Sequence, residues 1–308
     1  MEQNINTEQN ISIIGSNKSK SVTERGMNLL FFICGFAAVV CVVFMTIYMI
    51  VSGSTIITKV GVVKFLFGRI WDPDHSKFGI LPMILASLIA TFSAILIALP
   101  VGVLVAVFLA KLMPEKISNV LRTLIDLLAG IPSVVYGLLG AILVVPLIFK
   151  LQTALALPTS GCLLSAIIIL VIMILPTIIS VSETAIRAVP RQYEDASLAL
   201  GSTKLQSIFK VTVPAAKSGI VAGMVLGTGR AIGEAMAVMM VAGNAVIMPE
   251  FLKPVRLLTA SIPIEWAYSS GIHREALYGI GLVLFIFIMV INITLNKILK
   301  KAGDAGGR

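Results

Sequence analysis

Residues 187–219 read RAVPRQYEDASLALGSTKLQSIFKVTVPAAKSG, a charged, amphipathic stretch between two long apolar runs. Pro190 separates the preceding run from a segment, Gln192–Leu200, in which acidic residues lead and apolar residues follow, the order a short helix prefers. Gly201 is then a natural residue to end that helix. A second short helix is expected over Lys204–Val211, stopping before Pro214, with the next apolar run starting soon after. The reading is helix, glycine turn, helix. Composition alone would equally allow an amphipathic segment lying on a membrane surface, so the flanking sequence has to decide.

The flanks are membrane-like. The 308 residues are 57% hydrophobic and 13% charged, with a mean hydropathy of +1.01, whereas roughly a quarter of an average soluble domain is charged. Apolar runs at Met27–Val51 and at about 80–110, 123–149, 161–185, 218–243 and 276–296 each match the roughly 20 residues that cross about 30 Å of hydrocarbon. The expectation is an all-α membrane protein with six transmembrane helices. Met27–Val51 is too long for the core of a cleavable signal peptide, and Pro100 is the expected kink of the second span. Residues 1–26 and 300–308 read as polar tails, the first of them disordered. With both ends inside, fifteen of the 24 lysines and arginines fall in cytoplasmic segments and eight outside, leaving Arg230 within a span. That bias predicts a multi-pass protein with both termini cytoplasmic. The same placement argues against nucleic-acid binding, which concentrates basic residues on one water-exposed face.

Outer segments 52–79 and 244–275 carry Trp71, Trp266 and Tyr268, aromatics of the kind that settle at headgroup level. No internal repeat is evident by inspection. Cys34, Cys41 and Cys162 lie within apolar segments without a CxxC pair or clustered His or Asp, so neither a disulfide nor a metal site is expected.

The fifth span contains GMVLGTGRAIGEAMAVMMVAGN, residues 223–244. Arg230 lies about 20 Å from either end of that span at ~1.5 Å per residue, and a central arginine faces the bundle interior, a wet cavity or a partner. In a continuous helix, Glu234 shares its face, so one reading is a self-neutralising pair. The other is an anion pathway, in which the planar guanidinium binds a tetrahedral oxyanion and Glu234 positions it. Gly219, Gly223 and Gly227 recur every four residues, as at close helix contacts. GTGRAIG lacks the preceding strand of a dinucleotide fingerprint. Asp126 and Glu183, each four residues from an arginine (Arg122, Arg187), read as ordinary helix-end ion pairs. The third span begins LIDLLAGIPSVVYGLLGAILVVPL, residues 124–147, where Gly130, Pro132 and Gly137 are candidate breaks or bends.

The loop carries a further pattern. Asp195, Ala196 and Ser197, then three residues, Gly201, nine residues, Val211, one residue, Val213 and Pro214 resemble the EAA loop of ABC importer permeases, E-A-A-x3-G-x9-I-x-L-P. The departures at Asp195, Ser197, Val211 and Val213 are conservative in size or charge. Together with the strings in the third and fifth spans, the chain resembles the PstC type of phosphate ABC permease. The resemblance implies a type I importer permease core of the MetI-like kind over residues 80–299, in a bacterial or archaeal inner membrane. It further implies a heterodimer with a PstA-like permease, two ATPase subunits that hold the ATP, and an extracytoplasmic phosphate-binding protein. On it, the 187–217 loop would be the coupling element, with Asp195 to Gly201 at the ATPase, and Arg230 and Glu234 would line the phosphate path. The chain has no G-x4-G-K-[ST] phosphate loop, so no enzyme activity or cofactor of its own is expected. A permease for sulfate or molybdate, or an ion-coupled carrier or channel, is the alternative.

Overall fold

The computed structural model describes residues 17–304 and separates two compact units, Met1–Ser52 and Gly53–Arg308. The first helix runs through both, and every packing contact and site described below lies in the second. α1 spans Asn17–Val60, α2 Val62–Phe67, and a small hairpin pairs β1 (Trp71–Asp72) with β2 (Lys77–Phe78) in antiparallel register. α3 (Leu81–Val107) continues as a π-helical turn over Phe108–Leu112. Next come α4 (Glu115–Ala129), α5 (Ser133–Leu139), a π turn over Gly140–Val144, and α6 (Val145–Ala154). α7 is Leu163–Arg187, and α8 is Arg191–Ala199. α9 (Lys204–Ser207), a π turn over Ile208–Thr212 and α10 (Val213–Ala215) form one rod leading to α11 (Lys217–Gly233). α12 (Met236–Val241), α13 (Leu258–Glu265) and α14 (Gly271–Asp304) complete the chain.

Five helices are long and apolar enough to cross a membrane, and the pair bent by 67° between α10 and α11 makes six. Several boundaries differ from the sequence expectation. α1 runs well beyond Met27–Val51 at both ends, so residues 17–26 and 52–60 are helical where a tail and a loop were expected. The rest of that tail, residues 1–16, lies outside the described residues, as do residues 305–308 of the C-terminal tail. The helical part of that second tail belongs to α14, which also begins ahead of the expected residue 276. The third span starts at Ser133 because Gly130, Ile131 and Pro132 interrupt the helix, leaving α4 as a separate amphipathic segment. The fifth span is not one helix. α11 ends at Gly233, after 17 residues, or about 26 Å, short of the hydrocarbon thickness, and Glu234 is extended (φ −74°, ψ 121°) before α12 resumes. The helix expected to stop before Pro214 continues to Ala215.

Prolines explain the π turns. Each of the three ends two residues before a proline, Pro114, Pro146 or Pro214. Proline has no N–H and its ring collides with the carbonyl four residues back. A wide turn relieves both, with Met113, Val145 and Val213 donating to the carbonyls of Phe108, Gly140 and Ile208, five residues back. Pro100, by contrast, sits inside a continuous α3.

Small residues set the packing. Ala86, Ala90, Ala94, Ala98 and Ala106 form a fully buried stripe on α3, and a Cβ at Gly102 would lie 2.7 Å from Ile178 of α7. α7 also takes the glycines of α11: a Cβ at Gly223 would meet Ser182 Oγ at 3.3 Å, one at Gly227 would meet Ile178 at 2.9 Å, and one at Gly219 would strike Ala185. On the other side, a Cβ at Gly137 would lie 2.8 Å from Ala237 Cα and Met240 Sδ of α12. The main core, with Met173, Ile174 and Ile178 at its centre, is gathered around α7.

Charge staples one end of these helices. Glu183 of α7, 2% exposed in its side chain, accepts from Arg122 of α4 and Arg187 of α7, both at 2.7 Å. Arg187 also donates to Ser118 Oγ and the Leu109 carbonyl, while Ser180 donates to Asp126 at 2.8 Å. Arg122 thus pairs across helices rather than with Asp126, and Glu183 holds its guanidinium above the ordinary value against the opposing effect of burial.

Glycine contacts against backbone leave no room for relief. At Gly161 a Cβ would strike the Val241 carbonyl and lie 2.8 Å from the Gly243 nitrogen. Gly161→Ala is expected to destabilise the fold by about 1–3 kcal/mol, as overpacking does, lowering the melting temperature of the purified protein by several degrees. Gly229→Ala, with nothing within 4 Å of the new Cβ, should be neutral or stabilising because alanine favours helix.

Candidate functional site

Two chain breaks bring the candidate residues into place. The first, Gly130–Pro132, ends α4 and leaves terminal carbonyls without intrahelical partners. Tyr136 Oη donates to the Leu128 carbonyl at 2.7 Å, and Arg230 Nη2 reaches the Ala129 carbonyl at 3.5 Å. The second break, at Glu234 and Ala235, leaves the first N–H groups of α12 in need of acceptors. Glu234 Oε1 accepts from the Ala237 N–H at 2.8 Å, and the Glu234 carbonyl accepts from Thr259 Oγ1 at 2.7 Å.

The two charged residues are therefore not paired with each other. Arg230, in the last turn of α11, holds Thr177 Oγ1 at 3.3 Å and the Ala129 carbonyl, both neutral. Among the described residues no ion pair includes Arg230 or Glu234. Of the two readings their spacing allowed, the self-neutralising pair does not form, for a plain reason: the helix that would align the two residues ends at Gly233. Glu234, 9% exposed, is instead neutralised in part by the N-terminus it caps. What remains is a part-buried guanidinium with donors to spare and only neutral acceptors, an arrangement that favours a visiting anion.

The 187–217 loop forms a second constellation. Gly201 adopts φ +86°, the left-handed turn that reverses the chain between α8 and α9. Ser197 closes that turn, its hydroxyl 2.8 Å from Ser202 Oγ and its carbonyl accepting from the same hydroxyl at 2.8 Å. Thr203 and Gln206 form a reciprocal cap on α9. Asp195, Ala196 and Pro214 are exposed. Alongside them Tyr193, Leu198, Leu205 and Phe209 are exposed too, and Leu200 is 90% exposed at the tip. An apolar cluster of this kind at the tip of a rigid turn marks a contact surface.

This architecture matches known transport proteins. The sequence pattern of the binding-protein-dependent transport system inner membrane component matches residues 98–301, well over half of the chain. The chain belongs to this family. The probable ABC transporter permease protein YqgH of Bacillus subtilis is 36% identical over 93% of this chain and 97% of its own length. The phosphate transport system permease protein PstC of Pasteurella multocida is 35% identical over 78% of this chain and 82% of its own. In fold, a bacterial alginate ABC transporter chain, crystallised with an alginate-bound periplasmic protein, superposes with a TM-score of 0.60 at 13% identity, covering 89% of this chain and 92% of that one. A chain of the MetNI methionine ABC transporter does so with 0.53 at 20%, covering 70% and 93%. The permease is thus an inner-membrane transport component with the type I ABC importer fold.

Sequence reasoning missed two features of this permease. Lys111, at the end of α3, bonds Glu194 of α8 at 2.7 Å with both side chains largely buried, a pairing 83 residues apart that no local pattern signals. Glu265 of α13, 5% exposed, gathers Arg256, His273 at 2.7 Å and the Trp71 indole N–H at 3.0 Å, tying α13 and α14 to the hairpin.

Reversing one member of the Lys111–Glu194 pair, as Lys111→Glu or Glu194→Lys, is expected to destabilise the permease by about 1–3 kcal/mol. The double reversal should recover most of the loss, a non-additivity characteristic of direct contact. Thermal unfolding of the four proteins measures it, and strictly additive losses would show that the pair contributes nothing.

Proposed function

We propose that this permease forms half of the pathway of an ATP-driven importer of inorganic phosphate. The observation that carries the reading is Arg230, a part-buried cation within a membrane-spanning segment whose hydrogen-bond partners are a hydroxyl and a carbonyl. A cation so placed is costly unless an anion visits it, and a guanidinium offers several N–H donors to a tetrahedral oxyanion. Relatives named as phosphate permeases, in Pasteurella multocida and in Xylella fastidiosa, support phosphate as that anion.

Glu234 adds a chemical reason. Only its Oε1 is engaged by a hydrogen bond among the described residues, so Oε2 is open to accept the proton of a hydrogen phosphate. Sulfate and molybdate are unprotonated at neutral pH and have none to offer a carboxylate that can only accept.

The exposed tip around Leu200 fits the groove of a separate ATPase subunit, with Asp195 supplying charge at the rim. Two such ATPases, a PstA-like second permease and an extracytoplasmic phosphate-binding protein complete the assembly in this reading. ATP belongs to the ATPases, and both termini of this chain lie in the cytoplasm, on the same side as the loop.

Arg230→Gln is expected to lower labelled-phosphate uptake about ten- to a hundred-fold, the worth of hydrogen bonds to a charged group, while the complex still assembles. Undiminished uptake would remove Arg230 from the pathway. Glu234→Gln, which keeps an acceptor for the α12 cap, should narrow the preference for phosphate over sulfate in competition assays. Disabling the ATP site of the copurifying ATPase should stop transport, which an ion-coupled carrier would survive.

A further inference from the structure

A cavity of about 570 Å³ opens between the end of α1, α2, the hairpin and the start of α14. Lys59, Lys64, Arg69 and Lys77 all line it, with Ser76, and no carboxylate does. Of the neighbouring acids, Glu275 binds Lys59 at 2.6 Å and Asp72, opposite Lys77 in the hairpin, binds His75 at 2.7 Å, while Asp74 in the hairpin turn lines a different pocket. Among the described residues Lys64, Arg69 and Lys77 enter no ion pair. Cations gathered around one concavity repel one another, so the arrangement is relieved by a multivalent anion.

The cavity is also built rather than accidental. Its floor is Gly68 against Gly79, where a Cβ on Gly68 would lie 2.7 Å from the Gly79 Cα. Hydrogen bonds from Gly79 N to Ile70 O at 2.8 Å and from Leu81 N to Gly68 O at 3.1 Å fix that crossing. Beside it, Val62, Val63, Phe67 and Ile70 are exposed, an apolar fringe next to cations of the sort found where a segment sits at headgroup level. Three candidate spans separate the cavity from the 187–217 loop, so the two lie on opposite faces of the membrane.

We propose that this cavity is an accessory site for a phosphate group, distinct from Arg230. The group is either the headgroup phosphate of an anionic lipid or free orthophosphate. The inference stands on the cavity's own charge and floor and is independent of the translocation reading.

The test uses the full-length permease with its copurifying partners, carrying Arg230→Gln to silence the pathway. The comparison adds Lys64→Gln, Arg69→Gln and Lys77→Gln, and a charge-keeping control adds Lys64→Arg, Arg69→Lys and Lys77→Arg. In phosphatidylcholine nanodiscs, radiolabelled orthophosphate binding is measured at equilibrium. In nanodiscs with added phosphatidylglycerol, the enrichment of that lipid around the protein is measured by extraction.

Losing three cations near a surface should weaken binding roughly a hundred-fold, while the control binds as the parent does. Loss of orthophosphate binding identifies free phosphate as the ligand, and loss of phosphatidylglycerol enrichment identifies lipid. Should the triple variant fail to assemble, Lys64→Gln alone is read the same way, with about a five-fold loss. If a folded neutral variant matches its parent in both measurements, or the parent binds neither form, the proposal is overturned.

Discussion

Hydrocarbon offers no partner to a charge or to an unpaired backbone group, and this one constraint organises the centre of the permease. A helix may break within the membrane only where protein or a wet cavity satisfies the groups it releases. Both breaks here meet that condition with side chains from the candidate site. The carbonyls released at the end of α4 are met by Tyr136 and Arg230, and the first turn of α12 is met by Glu234. The charged residues and the interrupted helices therefore account for each other. Had α11 run unbroken to Val241, Arg230 and Glu234 would have shared a face and cancelled. The break turns Glu234 to α12 and leaves the guanidinium with neutral company.

Proline and glycine supply the geometry around that centre by opposite means. Proline subtracts a donor and forces the chain to widen, giving π turns at the end of α3, within the third span and in the rod before α11. Glycine subtracts a side chain and lets backbones close, so α11 lies along α7, and α5 against α12, at distances a Cβ would not allow. Such contacts need no interlocking bulk. Ile178 of α7 shows the device on both sides at once, since it packs against Gly102 of α3 and against Gly227 of α11.

Much of this was legible in the residues, and the remainder was hidden for identifiable reasons. Long apolar runs need no tertiary information, so the spans were readable to within their ends. The turn at Gly201 was readable because a glycine between two amphipathic segments has few other uses. Pro132 marked a break, but the extent of α4 as a separate amphipathic helix was masked by the apolar residues on either side of Asp126. The break at Glu234 carried no proline and no loop composition. Its released carbonyl is met by Thr259 of α13, a partner 25 residues on, and the first turn of α12 by the side chain of Glu234 itself. Lys111–Glu194 and the Glu265 cluster join residues far apart in sequence, and one sequence without relatives contains no signal that they meet.

The placement of the ion pairs has a mechanical consequence. α8 is held to α3 through Lys111 and Glu194, and to the rod before α11 through Ser207, whose hydroxyl donates to the Glu194 carbonyl at 3.4 Å. α3, α4 and α7 are in turn stapled by Glu183, Arg122, Arg187 and Ser118. A load applied at the tip around Leu200 is thus shared by helices that move together. α11 departs from that block at a 67° bend and rests on α7 through glycines. It carries Arg230 near its far end, among the buried Thr228, Ala231 and Ile232, and the guanidinium itself makes two long hydrogen bonds of 3.3 and 3.5 Å. The ion pairs are therefore concentrated near the loop, whereas the Arg230 guanidinium meets only neutral acceptors through long hydrogen bonds, so an anion arriving there would displace weak contacts and break no ion pair.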